Sequence, residues 1–292
     1  MTTQPTDADV ITDIDHLMIA SFDHDRAIKN YTNLGFKVRP VRQLAPMGGG
    51  SAGGNGGSAA ILLRARTPGC ANYLELAMAD PVTAMPMMQD ILRNDEGPAM
   101  LVHATLDPNR LADQWAKLGI KLERVKLSLP PFGAGPPVDL EVFLVPKGQA
   151  PFAFNACHYS STYDFERDEW RNHPNGALHW TGLTVAVDDL SFAVSVKRFS
   201  EIYARQPRDA ESCRAVFQLG ATRLELWERT AFEREYGKEA AGTAVHIAVR
   251  SLADLRAYLA EKQIEYVATG PTVRVERRFA NGTFLAFEEI EA

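Results

Sequence analysis

The 292-residue sequence is poor in cysteine and lacks a cluster of basic residues. Its three cysteines, Cys70, Cys157 and Cys213, lie far apart and include no Cys-x-x-Cys pair. Such a set disfavours a disulfide framework and a structural zinc site, and it favours a reducing compartment. The net charge of −6, without a Lys/Arg cluster, argues against a nucleic-acid partner.

Long apolar segments are missing as well. No run approaches the ~18 apolar residues of a membrane helix. The polar, acidic residues 1–12 lack the basic and apolar regions of a secretory signal. We therefore expect a soluble, cytoplasmic protein without a membrane partner. The hydrophobic fraction of 46% is that of an ordinary globular chain, long enough to bury a sizeable core.

The sequence does contain a repeated unit, which begins with an apolar run, 14–20, that holds one histidine. Strand alternation predicts that His16 shares a face with Met18, whereas Asp15 lies on the other face. A predicted helix over 24–34 ends at Gly35. Three further predicted strands, from Gly35 to Pro40, at 59–64 and at 72–78, complete the unit. The same pattern returns at 244–249, where His246 takes the place of His16.

Four copies of this unit predict an α+β fold, in which four βαβββ modules form two cupped mixed β-sheets with helices outside. The expected segments are a flexible arm (1–13), module one (14–80), a connecting helix (81–98), module two (99–156), a connector (157–178), module three (179–229), a second connecting helix (230–242) and module four (243–292). The glycine-rich run 48–58 joins two strands, so we expect a flexible β-loop there and no phosphate-binding loop.

Two motifs of module one carry a family resemblance. Its first strand reads Asp-His-Leu at 15–17, and its last strand reads Tyr-Leu-Glu-Leu at 73–76. With the four repeated units, they resemble the vicinal oxygen chelate superfamily, and within it the glyoxalase-like branch. Residues 169–177 also resemble the mid-chain connector of that branch. The resemblance covers nearly the whole chain and implies the fold, but not one reaction, since this superfamily hosts many chemistries.

The resemblance implies metal ligands at two recurring points of each module, the histidine of its first strand and a glutamate of its last. Module one has both, as His16 and Glu75. Module two has Leu101 at the first point, with His103 two residues on, and no carboxylate in 152–156. Module three has Gly182 at the first point and Glu225 at the second. Module four has His246 at the first point and Ala286 at the second, with Glu288 two residues on.

The pairing of the modules decides which ligands meet. If module one pairs with module two and module three with module four, neither cup collects two histidines and a carboxylate unless His103 substitutes. If module one pairs with module four, one cup gathers His16, Glu75 and His246. We expect the second arrangement because it concentrates the ligands. A lone histidine in an apolar strand is more often a core residue than a ligand, but repetition at equivalent points favours a ligand role. Glu75, in an otherwise apolar strand, needs a metal or a hydrogen-bond donor if it is buried.

Two histidines and one carboxylate suit a divalent ion, with Fe(II) or Mn(II) favoured and Zn(II) or Ni(II) as alternatives. The favoured function is a ring-cleaving dioxygenase that acts on a small oxygenated, diol-like substrate. A glyoxalase-type lyase or isomerase with a non-redox metal is the second hypothesis, and a metal-free protein that binds a small ligand is the third.

The long connector offers three candidate acid/base groups, His158, Tyr159 and His173. For each of them a simple structural role in the loop is the competing interpretation. A small-molecule substrate is the expected partner. A homodimer is an open expectation, because sheet edges are often exposed in such folds.

Overall fold

The structure, a computed structural model, describes residues 10–43, 57–78, 96–131, 134–237 and 242–290. The first sheet contains β1 (Asp13–Ser21), β2 (Arg39–Gln43), β3 (Gly57–Leu62), β4 (Tyr73–Met78), β5 (Gly97–Ala104), β6 (Glu123–Leu129), β7 (Val138–Leu144) and β8 (Phe154–Tyr159). The second sheet contains β9 (Ala177–Val187), β10 (Asp209–Ala210), β11 (Arg214–Leu219), β12 (Thr222–Glu228), β13 (Thr243–Val249), β14 (Tyr266–Thr269), β15 (Thr272–Val275) and β16 (Phe284–Glu289). The helices are α1 (His24–Asn33), α2 (Pro108–Lys117), α3 (Asp168–Arg171), α4 (Phe192–Tyr203), α5 (Arg229–Tyr236) and α6 (Leu252–Glu261).

The strand order confirms the predicted fold class of two mixed sheets. The first sheet runs β2-β3-β4-β1-β5-β8-β7-β6, and the second runs β10-β11-β12-β9-β13-β16-β15-β14. The two sheets therefore have the same topology, and each joins two consecutive modules through an antiparallel pair of first strands.

The expected pairing of modules one and four is wrong. β1 pairs with β5, so module one shares its sheet with module two, and Leu17 lies opposite Leu101. β9 pairs with β13, so module three shares its sheet with module four, and His246 lies opposite Gly182. Backbone hydrogen bonds between these first strands fix the pairing, and the distribution of metal ligands along the sequence carries no information about them.

Helices cover one face of each sheet. α1 begins after Asp23, whose carboxylate accepts the Arg26 backbone N–H, and it buries Ala27 and Tyr31. Gly35 follows with a φ of 84°, a conformation that favours glycine after a helix. The helix positions thus follow the predicted amphipathic pattern.

One continuous core lies between the two sheets, and apolar residues of both sheets and of four helices belong to it. Direct hydrogen bonds cross this layer. The Tyr31 hydroxyl donates to the Ala280 carbonyl 3.0 Å away, and the Tyr203 hydroxyl lies 2.9 Å from Nε2 of His103. Separate apolar clusters occupy the opposite, concave faces of the two sheets. The two concave faces therefore lie on opposite sides of the shared core.

Four local predictions need comment. A strand was expected from Gly35, but β2 begins at Arg39, because the N–H of Phe36 still bonds to the Tyr31 carbonyl at the end of α1. β8 extends to Tyr159, three residues beyond the expected end of that strand at Ala156. Most of the connecting helix predicted over 81–98 and of the glycine-rich run 48–58 lies outside the described residues. Within the described ranges, no helix has the length and apolarity needed to span a bilayer.

Candidate metal centre

A β-bulge in β1 shapes the concave face of the first sheet, which we call the first cup. Ile14 pairs with His103 and His16 pairs with Val102, so Asp15 is an extra residue between the two pairs. The bulge breaks the expected alternation, and Asp15 joins His16 instead of lying opposite it. Nδ1 of His16 donates to Oδ1 of Asp15 at 2.6 Å.

His16 and Glu75 present donor atoms to one point of the first cup. Nε2 of His16 lies 3.5 Å from Oε2 of Glu75, and both residues are buried. Two ligands that each bind a divalent ion at about 2.1 Å with a near-tetrahedral angle are separated by a similar distance. The pair fits a shared metal ion, and the buried Glu75 carboxylate has His16 as its neighbour in the cup.

Asp15 holds the imidazole in the orientation that such a site needs. Besides His16, its carboxylate accepts the backbone N–H of Ala71 at 2.7 Å and the hydroxyl of Tyr159 at 3.0 Å. A carboxylate on one ring nitrogen leaves the other nitrogen free for a metal, as in many histidine ligands. Burial by itself lowers the pKa of His16, but contact with Asp15 and Glu75 raises it to about 9.

Module two contributes Cys157 to the same cup. β8 pairs with β5 in parallel, and Cys157 lies opposite Ala104. β4 pairs with β1 in the same way, and Glu75 lies opposite Met18. Cys157 therefore faces the first cup, as Glu75 does. Its sulfur and the ligand atoms of Asp15 and His16 all lie within 4.8 Å of one another. A thiolate is a good ligand for zinc and other soft ions.

Aromatic and apolar side chains form the walls of the first cup. The Tyr73 ring stacks on His16 with centroids 4.3 Å apart, and Phe165 stacks on Tyr73 at 5.3 Å. Met100 and Val102 line the floor beside them. The donor atoms thus sit in a largely apolar environment, which strengthens their electrostatic interactions.

The three predicted acid/base groups separate in the structure. Tyr159 lies in the first cup, where burial raises the pKa of its hydroxyl well above the usual value. His158 points away from it, with Nδ1 3.0 Å from the Thr105 carbonyl. His173 uses both ring nitrogens, since Nε2 donates to the Leu62 carbonyl at 2.8 Å and Nδ1 accepts the N–H of Lys37 at 3.0 Å. Burial lowers the pKa of His173 to about 4, which is typical of a neutral structural histidine.

The predicted ligand positions in module two were displaced by one residue. Leu101 and His103 face the core between the sheets, whereas Val102 faces the first cup. His103 is fully buried, lies 3.0 Å from the Asn155 carbonyl through Nδ1, and has its pKa lowered to about 4 by burial. His103 thus links the two halves and does not replace a ligand.

His246 lies in the second cup, the concave face of the second sheet, and does not meet His16 or Glu75. Its Nε2 is 2.8 Å from the Thr184 hydroxyl, and its Nδ1 is 3.3 Å from Oε1 of Glu288. Burial raises the pKa of Glu288, but contact with His246 and the charge of Arg223 lower it to about 2. Each cup therefore contains one of the two predicted histidines.

Sequence reasoning missed Asp15, Cys157 and Arg223. The bulge that turns Asp15 inward has no mark in the hydrophobic pattern. Cys157 lay one residue beyond the predicted end of β8. Arg223 was hidden because Glu225, two residues on, matched the expected glutamate position.

Similar structures have the same fold over nearly the whole chain. A hypothetical protein from Staphylococcus aureus matches 95% of this chain and 99% of its own, with a TM-score of 0.63 and 9% identity. A triple variant of 4-hydroxymandelate synthase from Streptomyces coelicolor matches 96% and 92%, with a TM-score of 0.58 and 11% identity. A variant of homoprotocatechuate 2,3-dioxygenase from B. fuscum matches 100% and 75%, with a TM-score of 0.51 and 8% identity. At these identities the likeness concerns the fold alone.

Comparison with curated protein sequences gave no significant match. A family model described as a glyoxalase-like domain matches residues 14–205, which is more than half of the chain. The match begins at the strand that carries His16 and includes the whole first sheet. The chain belongs to the glyoxalase-like domain family, within the vicinal oxygen chelate superfamily.

Proposed function

We propose that the protein is a metal-dependent enzyme whose active site is the first cup and whose substrate is a small oxygenated organic molecule. The observation that carries this proposal is the arrangement of His16 and Glu75, with Nε2 and Oε2 3.5 Å apart and Asp15 on the far nitrogen of the imidazole. His16 and Glu75 would hold a divalent ion. Cys157 is grouped with Asp15 and His16 and not with Glu75, so its side chain would move toward the ion to become a third donor. The ion would supply Lewis-acid polarisation of a substrate oxygen.

The residues of the cup suggest how the chain assists the reaction. Asp15 keeps the imidazole of His16 in one tautomer and orientation. The Tyr159 hydroxyl donates a hydrogen bond to Asp15 and so holds that carboxylate in place. Tyr73, Phe165 and Met100 offer an apolar surface to the carbon skeleton of a substrate and exclude water from its polar end.

The donor set favours lyase or isomerase chemistry with a non-redox ion. One imidazole, one carboxylate and one thiol suit Zn(II), whereas the oxygen-activating Fe(II) triad consists of two histidines and one carboxylate. Because His246 lies in the second cup, the first cup has one histidine among its described residues. Ring-cleaving dioxygenase chemistry is the second candidate. Two superfamily neighbours, a 4-hydroxymandelate synthase and a homoprotocatechuate 2,3-dioxygenase, support it through the shared fold only.

An exchange experiment separates the two candidates. Protein loaded with Zn(II), Ni(II) or Mn(II) is incubated without oxygen in D₂O with a panel of 2-hydroxycarbonyl compounds, and deuterium uptake is read by NMR. We expect uptake that disappears in His16→Ala. Oxygen consumption with catechols or hydroquinones by the Fe(II) protein, and no exchange, would favour the dioxygenase. Neither activity, with no metal bound, would contradict both and leave a protein that binds a small ligand.

A further inference from the structure

The two cups correspond over their central strands from the first bulge onward, and the correspondence shows what differs between them. β9 has an extra residue, Thr181, where β1 has Asp15. The parallel pairs then match by register. Gly182 corresponds to His16, Arg223 to Tyr73, Glu225 to Glu75, His246 to Val102 and Glu288 to Cys157.

The second cup therefore has its own set of potential metal donors, namely His246, Glu225 and Glu288. Nδ1 of His246 is buried and makes no hydrogen bond with the described residues, although Oε1 of Glu288 lies only 3.3 Å away. One imidazole and two carboxylates are suitable ligands for a divalent cation. Their donor atoms do not converge while Arg223 is present, since among the described residues the group that brings three such atoms within 4.8 Å of one another is Asp15, His16 and Cys157.

The guanidinium of Arg223 lies among these donors. Its Nε donates to Oε1 of Glu225 at 2.6 Å, and its Nη2 donates to Oε1 of Glu288 at 2.8 Å. Its Nη1 contacts the Thr181 carbonyl at 3.4 Å. A guanidinium keeps its charge at every physiological pH, so the two carboxylates have a permanent cation between them.

Gly182 makes room for this arginine. A Cβ atom at position 182 would lie 2.5 Å from Cγ of Arg223 and 2.9 Å from its backbone oxygen. The side chain of Arg223 thus runs through the space that a histidine at the first recurring point would need. Position 182 therefore has no room for a histidine side chain while Arg223 is present. The second cup has a positively charged side chain where the first cup has the proposed ligand His16.

Aromatic residues fill the rest of the second cup. Phe232 and Tyr236 of α5 stack at 4.4 Å, and both contact Trp227 and Phe284 on the sheet. Phe232 is fully buried. α5 follows β12 directly, so the chain closes this cup with its own helix.

We infer that Arg223 is a built-in cation that occupies a divalent-metal site formed by His246, Glu225 and Glu288. The second cup is consequently metal-free while Arg223 is present, and removal of the guanidinium exposes a site that binds Zn(II). A metal ion and the guanidinium exclude each other, because both carboxylates already bind the arginine and two cations at this spacing repel.

The test uses the full chain in a His16→Ala background, so that its outcome does not depend on the first cup. Zinc content is measured after equilibrium dialysis against Zn(II). The parent is expected to hold no zinc in the second cup, and Arg223→Ala is expected to gain about one equivalent. Adding His246→Ala to Arg223→Ala removes the gain. Arg214→Ala is the matched control, because Arg214 is a nearby arginine that stacks on Trp227 at 3.7 Å. We expect this variant to gain no zinc.

Other outcomes also decide the question. Arg223→Met keeps the length of the side chain without its charge and should gain zinc too, whereas Arg223→Lys should not. If the uncharged variants fold only when Zn(II) is present, the inference is supported. If they fold without gaining zinc, or unfold whether or not Zn(II) is added, or if the parent already binds zinc through His246, the inference is wrong.

Discussion

The two cups differ in one respect that the shared topology conceals. Both sheets have the same strand order and share one bulge within the central strand pair. In the first cup the bulge residue is Asp15, which orients His16 toward Glu75. In the second cup it is Thr181, which donates to Glu288 at 3.1 Å, and the centre is Arg223.

The comparison shows how a duplicated fold can keep one reactive half and turn the other into a support. An imidazole whose far nitrogen bonds a carboxylate is prepared for a ligand, whereas a guanidinium between two carboxylates is already satisfied. Under the proposed function, the first cup is the half where an ion and a substrate would meet. The second cup contributes its packing to the shared core.

The largest expected difference concerns the two register-equivalent glutamates. Glu75→Ala removes a proposed metal ligand, so we expect Zn(II) binding to weaken by about 100-fold or more. Glu225→Ala removes a partner of Arg223 and should change the affinity by less than about threefold. Competition with a chromophoric chelator measures both. An equal loss in the two variants would remove the distinction between the cups.

The layer that separates the cups should be sensitive to acid. Burial lowers the pKa of His103 from 6.5 to about 4, so between these values the unfolded chain binds the extra proton. The contribution of His103 to the free energy of unfolding is therefore complete above pH 6.5. It is lost as the pH falls toward 4 and amounts to about 3 kcal/mol. Urea unfolding at several pH values measures the slope.

A matched pair of variants isolates that histidine. His103→Phe removes one titrating group and should reduce the slope of unfolding free energy against pH, while His173 and His179, whose pKa values burial also lowers to about 4, keep the rest of the slope. Tyr203→Phe removes the hydroxyl that contacts Nε2 of His103 but leaves the imidazole, so it should lower stability without flattening the slope. If both variants keep the slope of the original chain, His103 does not cause the acid sensitivity.

Asp15→Asn tests the support of His16. The amide keeps the size of the side chain but cannot accept from Nδ1 as strongly as the carboxylate, and we expect a loss in metal affinity of about 10- to 100-fold. The matched control, Thr181→Ala, changes the bulge residue of the second sheet and should leave metal affinity unaltered. Isothermal titration with Zn(II) gives both values, and unchanged binding in Asp15→Asn would contradict the support role.

The smallest effect is expected for Cys157. Because Cys157 is proposed as a third donor, Cys157→Ser should weaken Zn(II) binding by up to about tenfold, since a hydroxyl is a poorer ligand than a thiolate. Spectroscopy gives a clearer sign. The Co(II) protein should show a near-ultraviolet band from thiolate-to-metal charge transfer that Cys157→Ser removes. A Co(II) protein without that band would leave the ion to His16 and Glu75.

Much of the fold was predictable from the sequence. Hydrophobic periodicity and the stop signal at Gly35 gave the strands and helices around His16, and repetition gave two equivalent sheets. The pairing of the modules was not predictable, because it depends on backbone bonds between residues far apart, such as Leu17 and Leu101. Clustering the ligands by parsimony led to the wrong pair.

The candidate site was predictable in part. His16 and Glu75 were identified from their motifs, and their contact agrees with a common role. A one-residue bulge changes the face of every side chain on one side of it, so the inward position of Asp15 did not follow from alternation. Val102 was missed because the first recurring point of module two was placed one residue earlier, at Leu101. Arg223 could have been found only by asking what occupies the space beside Gly182.

Metal content in two single-histidine variants tests the central claim most directly. The unmodified chain, His16→Ala and His246→Ala are each dialysed against Zn(II) and then against metal-free buffer, and the bound zinc is measured per chain. We predict about one equivalent in the unmodified chain and in His246→Ala, and none in His16→Ala. Zinc that is lost from His246→Ala and retained in His16→Ala would contradict the account, because it would place the ion in the cup that Arg223 occupies.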